Sequence, residues 1–113
     1  MATEDVQGTG PVSRKDAKMY EQEYKQGAAL FQKSLNEYAK SDNMYQKEEY
    51  KEVMNQAMQV LNETARGLKR QELLKQNEEI ERDYGDYQNN PNDRRIQQKL
   101  DQDLEKAKNS ITK

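Results

Sequence analysis

Three residue types are absent from the sequence: cysteine, histidine and tryptophan. Without cysteine the chain can form no disulfide bond. Without cysteine and histidine it also lacks thiolate and imidazole metal ligands and the Cys-His and Ser-His-Asp nucleophile systems. Carboxylates, lysine and tyrosine remain, and no glycine-rich phosphate loop accompanies them. The sequence therefore predicts a protein that is not an enzyme and uses no cofactor, metal ion or small-molecule substrate.

Long apolar runs and a surplus of one charge are also missing. No stretch approaches the roughly 18 apolar residues that a membrane-spanning helix needs. The 19 basic and 21 acidic residues give a net charge of -2, which disfavours nucleic acid and membrane surfaces as partners. The N-terminus has neither the basic nor the apolar segment of a cleavable signal peptide. We therefore expect no membrane association and a cytoplasmic location, although leaderless export leaves no trace in a sequence.

The residues that are present favour helices, since Ala, Glu, Lys, Leu, Arg and Gln dominate the chain. Residues 1–12 contain Gly8, Gly10 and Pro11 without an apolar period, which predicts a flexible N-terminal tail. A capping-box spacing from Ser13 to Asp16 then opens a single helical domain over residues 13–113.

Within this domain, apolar residues recur every three or four positions in three segments. The first helix is predicted over 13–40, and Asn43 has N-cap spacing for the next one. We expect one long second helix over 44–84, in which Gly67 is either a C-terminal cap or a kink.

The third helix is predicted over 91–111, because Gly85 can end the preceding helix, Asn90 can cap the next and Pro91 suits its first position. The predicted fold class is therefore all-α, an elongated three-helix arrangement in which two helical hairpins share the long middle helix. We expect coiled-coil-like packing between these helices.

The apolar stripe of the first two helices is rich in tyrosine and methionine. Tyrosine keeps its hydroxyl at a wet edge while its ring is buried, and methionine adapts to several partners. The stripe therefore fits a seam within the chain as well as a seam between chains. The predicted protein-interaction residues are Tyr24, Phe31, Tyr38, Met54, Met58 and Leu61. The third helix is expected to dock through Ile96, Leu100, Leu104 and Ile111.

Charges near Pro91 predict how the last two helices meet. Arg94 and Arg95 begin the third helix, and Glu81, Asp83 and Asp86 lie at the end of the helix before it. Each group opposes the dipole of its own helix, so an antiparallel hairpin that brings the two groups together would favour both. Because the acidic residues fit no metal-binding loop, we interpret them as a solvated helix end.

Three functions follow from these patterns. The first is a non-enzymatic helical protein-interaction module, an assembly factor, adaptor or small chaperone that binds partner helices in a groove or by completing a bundle. The second is a self-assembling structural subunit. Residues 68–111, broken at 90–93, resemble the helical hairpin of type III secretion needle subunits, which implies an oligomer or filament. The third is a nucleic-acid accessory protein that uses the basic patch of Arg66, Lys69, Arg70 and Lys75.

Overall fold

The computed structural model describes residues 14–112, which form four α-helices and no strand. The helices are α1 (Arg14–Lys40), α2 (Met44–Leu68), α3 (Gln71–Asn89) and α4 (Arg94–Thr112). The all-α prediction is confirmed. The three-helix arrangement is wrong, because the expected long middle helix is two helices. The predicted tail over 1–12 and the capping residue Ser13 lie outside the described residues.

The break between α2 and α3 consists of Lys69 and Arg70. Lys69 has the left-handed backbone angles φ 57° and ψ 32°, and its N–H donates to the carbonyl of Ala65 at 3.2 Å. Arg70 is extended, with φ -95° and ψ 122°. Gly67, the expected cap or kink, lies inside α2, where an added Cβ would come within 2.7 Å of the Tyr20 ring. This glycine therefore allows the ring to lie against the helix backbone.

Asparagine and aspartate side chains define the other two turns. Asn43 caps α2 as predicted, since its side-chain oxygen accepts from two amides of the first turn at 2.8 and 3.1 Å. The helix α3 continues through Gly85 to Asn89, so Gly85 does not end it. Asp93 rather than Asn90 caps α4, because its carboxylate accepts from two amides at 2.9 and 3.4 Å. Asn90 instead ends α3.

The helices form an up-down-up-down four-helix bundle, an arrangement that short turns favour. Helix α1 packs on α2 and α4, and α3 packs on the same two neighbours. We call α1 and α2 (residues 14–68) the first hairpin and α3 and α4 (residues 71–112) the second hairpin. The bundle measures 51 × 25 × 21 Å, so it is compact but about twice as long as it is wide. Coiled-coil-like packing stays a prediction.

One hydrophobic core runs along the bundle axis, and both hairpins contribute to it. Its largest fully buried side chains are Tyr24, Tyr87, Phe31, Leu35, Met54, Leu61, Leu73, Ile80, Leu100 and Leu104. Over residues 14–112, none of the helices is long and apolar enough to span a membrane.

Candidate functional site

The six predicted interaction residues all belong to the first hairpin and point into the core. Tyr24, Phe31, Met54, Met58 and Leu61 are buried, and Tyr38 packs against the core while partly exposed. In the single chain these side chains are covered by the protein's own helices. The interface between the two hairpins is therefore the candidate functional site. The predicted docking residues of α4 lie in the same core, with Leu100, Leu104 and Ile111 buried and Ile96 partly buried.

Aromatic rings form the central contacts of this interface. The Phe31 and Tyr84 rings meet edge to face, with centroids 4.9 Å apart and planes at 79°. Further along, Tyr38 and Tyr87 meet at 6.0 Å and 67°. Pairs of this geometry contribute about 0.5–1.5 kcal/mol beyond the burial of their area. Both pairs join α1 to α3, so the diagonal of the bundle is filled by rings.

A polar network crosses the same apolar interface. The Tyr24 hydroxyl donates to Asn77 Oδ1 at 3.0 Å, and Asn77 Nδ2 donates to Asn62 Oδ1. Two helical turns further along α3 from Asn77, the Tyr84 hydroxyl donates to Asn55 Oδ1. Burial raises the pKa of Tyr24 above its ordinary value and that of Tyr84 to about 12. These bonds join α1, α2 and α3 in one register, because a shifted pairing would leave buried polar atoms without partners.

The prediction from sequence missed these asparagines. A signal for them exists, since Asn55 and Asn62 are seven residues apart on α2, and Asn77 and Tyr84 are seven apart on α3. A seven-residue spacing repeats the same face of a helix after two turns. Because α2 and α3 are antiparallel and both spacings are seven residues, Asn62 can meet Asn77 at the same register in which Asn55 meets Tyr84.

One buried hydroxyl in the interface has no protein partner. Tyr87 is almost fully buried, and its hydroxyl makes no hydrogen bond within the described part of the chain. It borders a cavity of about 20 Å³ that is lined by Tyr38, Lys51, Met54, Tyr87 and Gln88. Burial raises the pKa of Tyr87 to about 12, so the group stays a neutral phenol at ordinary pH.

Exposed polar groups connect the hairpins at the bundle surface. Gln32 of α1 donates to the Asp101 carbonyl at 3.4 Å and to the Glu105 carboxylate at 3.1 Å, and it accepts from Lys108 at 2.9 Å. At the α2–α3 link, Arg70 forms an ion pair with Glu21 of α1. Exposed bonds of this kind contribute about 0–1 kcal/mol each, so they orient the hairpins more than they stabilise the bundle.

A cluster of charges holds α3 against α4. Lys99 Nζ lies 3.1 Å from Glu79, 3.2 Å from Asp83 and 3.1 Å from Asp103. Within the described residues, Asp83 of the predicted acidic group pairs with this lysine and not with Arg94 or Arg95, so the two arginines were the wrong partners. The antiparallel hairpin itself is present.

The carboxylates of Glu79, Asp83 and Asp103 lie close enough together to hold a metal ion, since their oxygens are within 4.8 Å of one another. No other group of this kind occurs within residues 14–112. The Lys99 ammonium already supplies positive charge there. Asp83 is buried rather than solvated, contrary to the interpretation of this segment as a solvated helix end. Burial raises the pKa of Asp83 to about 6, although Lys99 opposes that shift.

Apolar side chains are also exposed at the turn between α1 and α2. Met44 is 79% exposed and Tyr45 is 85% exposed. These two residues are adjacent in sequence and make no groove, so they form a small surface feature rather than a built site.

Comparison of the chain with models of protein families, with curated proteins and with solved structures finds no match. The geometry of the hairpin interface therefore carries the functional argument.

Proposed function

We propose that the protein is a cytoplasmic, non-enzymatic helical interaction module, an assembly factor, adaptor or small chaperone that works by bundle completion. The apolar face of the first hairpin, which the second hairpin covers in the single chain, accepts helices of a protein partner through coiled-coil-like packing. The residues that would bind them are the six predicted ones, including Tyr24, Phe31 and Leu61.

The observation that carries this proposal is the composition of the hairpin interface. It combines buried rings with hydrogen bonds between Tyr24, Asn77 and Asn62 and between Tyr84 and Asn55. When such an interface opens, its polar groups recover hydrogen bonds to water, so opening costs less than for a wholly apolar interface of equal area. The interface therefore suits helices that separate and pair again.

The unequal lengths of the helices favour the second hairpin as the part that leaves. The helices of the first hairpin have 27 and 25 residues, and those of the second have 19 each. The first hairpin therefore has the longer internal seam, and the second is the unit that opens.

Native-state hydrogen exchange of the full chain tests this opening. We expect amides of α3 and α4 to exchange at least tenfold faster than buried amides of α1 and α2, through an event that leaves the first hairpin folded. Tyr24→Phe should speed exchange in the second hairpin about fivefold, and the exposed control Tyr45→Phe should not. Exchange of all four helices through global unfolding alone would contradict the proposal.

Binding in trans is the direct test of bundle completion. A fluorescent synthetic peptide of residues 71–112 is titrated with the full-length protein, and anisotropy reports binding. We expect saturable binding that weakens at least tenfold when the peptide carries Tyr84→Ala, because only the incoming hairpin then lacks the ring that contacts Phe31. The control peptide Asp86→Ala changes an exposed neighbour and should bind like the unmodified peptide. No binding of the unmodified peptide, or equal binding of all three peptides, would contradict the proposal.

A second candidate function rests on charge. The bundle topology brings Lys15 and Lys18 of α1 and Lys106 of α4 to the same end as the predicted patch, which contains Arg66 and Lys69. A basic end of this kind favours an anionic polymer such as nucleic acid. Retention of labelled nucleic acid on a filter at low salt tests it, and no retention would reject this function.

A further inference from the structure

We infer that the partner of the first hairpin is a second copy of this chain, and that the two copies exchange their second hairpins by straightening the link at Lys69 and Arg70. This inference rests on the proposed function, because it names the partner of the same apolar face. The occupant is the α3–α4 hairpin of the other copy, which reproduces the contacts that the two hairpins make within one chain away from the link.

The link is where local sequence and structure disagree. Among the described residues, Lys69 is the one non-glycine residue with a positive φ, at 57°. Left-handed backbone is unfavourable for a residue with a Cβ. Arg70 begins α3 without a side-chain cap, and both residues are strong helix formers. The sequence around them therefore favours a continuous helix, which is why periodicity alone predicts one helix over 44–84.

The other two turns lack this disagreement. Asn43 caps α2 through two hydrogen bonds to backbone amides, and Asp93 caps α4 in the same way. Cap residues of this type stabilise a break in the helix by about 1 kcal/mol. The α1–α2 and α3–α4 turns are therefore built to stay bent, and the α2–α3 link is the part of the chain that gains by straightening.

Straightening separates the hairpins by a calculable distance. A continuous helix over 44–89 would be about 69 Å long at 1.5 Å per residue, against 51 Å for the long axis of the bundle. In that form α3 can no longer fold back along α2, so the face around Phe31 and the face around Tyr84 are both uncovered. A second straightened copy presents the missing half of each interface, with the same rings and asparagines.

Little is lost in the exchange. The contacts between Tyr24 and Asn77 and between Phe31 and Tyr84 form again between chains. Straightening the link also separates Arg70 from Glu21, whose ion pair is exposed. In return, two left-handed lysines per dimer adopt ordinary helical backbone. The balance between monomer and dimer is therefore set largely at Lys69.

Two variants at one position isolate the backbone effect. Lys69→Gly and Lys69→Ala both remove the lysine side chain, but only glycine adopts the left-handed conformation freely. Alanine also favours the straight helix and glycine disfavours it. If each link contributes at least fivefold, the dimer dissociation constant should be at least about 25-fold higher for Lys69→Gly than for Lys69→Ala. Size-exclusion chromatography with light scattering over a wide range of concentrations measures it.

Cross-linking distinguishes exchange from ordinary surface association. Isotopically heavy and light full-length chains are mixed, unfolded, refolded together and treated with a lysine-specific cross-linker. Lys108 lies against Gln32 of α1, so it should link to the neighbouring Lys33. Exchange predicts that a large share of this link in the dimer fraction joins a heavy to a light chain. A dimer formed through its outer surface would give this link within single chains only.

The outcomes separate this inference from the proposed function. A monomer for both variants at every concentration, or a dimer with Lys33–Lys108 links confined to single chains, would overturn hairpin exchange. Bundle completion would still stand in that case if the peptide of residues 71–112 binds the full-length protein. If the peptide fails to bind and the second hairpin never opens separately, the proposed function falls as well.

Discussion

Both hairpins contribute apolar side chains to the core, but the helices of the second hairpin are also joined by a cluster of charges, whereas α1 and α2 approach each other closely at a glycine. In the first, Gly27 lies so close to α2 that an added Cβ would be 3.2 Å from Val60 Cγ1. In the second, Lys99 lies between carboxylates of α3 and α4. An apolar seam is insensitive to pH and salt, and a charged one responds to both. This difference supports the proposal that the first hairpin serves as the scaffold and the second as the part that leaves.

The largest loss of stability should come from truncating an apolar core residue of the first hairpin. Phe31→Ala removes a fully buried ring and its edge-to-face contact with Tyr84. We expect the free energy of unfolding to fall by about 3–5 kcal/mol, the usual cost of this truncation in a core. Urea denaturation followed by circular dichroism measures it. The matched control Leu30→Ala changes an exposed neighbour and should cost under about 0.5 kcal/mol; equal losses would show that Phe31 is not part of the core.

The charge cluster of the second hairpin predicts that the free energy of unfolding falls by about 2 kcal/mol between pH 4.5 and 7.5. The pKa of Asp83 is about 6 in the folded chain, against an ordinary 3.8. Since the folded state holds this proton more tightly, its stabilising contribution is complete below pH 4 and lost as the pH rises through about 6. Asp83→Asn keeps a neutral side chain at every pH. Its stability relative to the unmodified chain should therefore rise between pH 4.5 and 7.5.

Three charged groups lie around Asp83: Glu79 from its own helix, and Lys99 and Asp103 from α4. A control carboxylate must therefore lie outside this cluster. Asp86→Asn removes an exposed carboxylate on the same helix and should show no such pH-dependent difference. If the stability of Asp83→Asn relative to the unmodified chain is the same at pH 4.5 and 7.5, the cluster does not hold a proton on Asp83.

One buried tyrosine from each hairpin sharpens the comparison. Tyr24 of the first hairpin donates a buried hydrogen bond to Asn77, while the Tyr87 hydroxyl of the second makes none within the described residues. Tyr24→Phe should cost about 1–2 kcal/mol, because the buried Asn77 Oδ1 loses the hydroxyl that donates to it. Tyr87→Phe should be neutral or stabilise by up to about 1 kcal/mol. Chemical denaturation of the two variants checks this, and equal costs would contradict the assigned network.

The sequence predicted those parts of the fold that depend on local chemistry. The helical periods, the cap at Asn43 and the all-α class follow from spacing and side-chain type. The break at Lys69 and Arg70 could not be predicted, because both residues favour helix and tertiary packing overrides that preference. Likewise the stripe from Tyr24 to Leu61 was evident, but whether it is covered by the same chain or by another depends on the link that sequence patterns missed.

Glycines were the least predictable residues, since the same residue type can end a helix, admit a close neighbour or do neither. Gly67 and Gly85 were interpreted as helix ends or kinks. In the structure Gly67 admits the Tyr20 ring, and Gly85 lies inside α3 with nothing within 4 Å of an added Cβ. Spacing along one helix carries no information about how near the next helix lies, so only the assembled bundle distinguishes these roles.

The smallest predicted effect compares one such glycine from each hairpin. Gly85→Ala should stabilise the protein by about 1 kcal/mol, because alanine favours the helix and its methyl group meets no neighbour. Gly27→Ala gains the same helix preference but must displace the Val60 side chain, 3.2 Å from the new Cβ. Its net change should therefore be less than half as favourable, or unfavourable. Thermal denaturation of both variants measures the difference. Equal stabilisation would mean that Val60 moves aside at no cost, and that the close approach of α1 and α2 at Gly27 does not constrain the first hairpin.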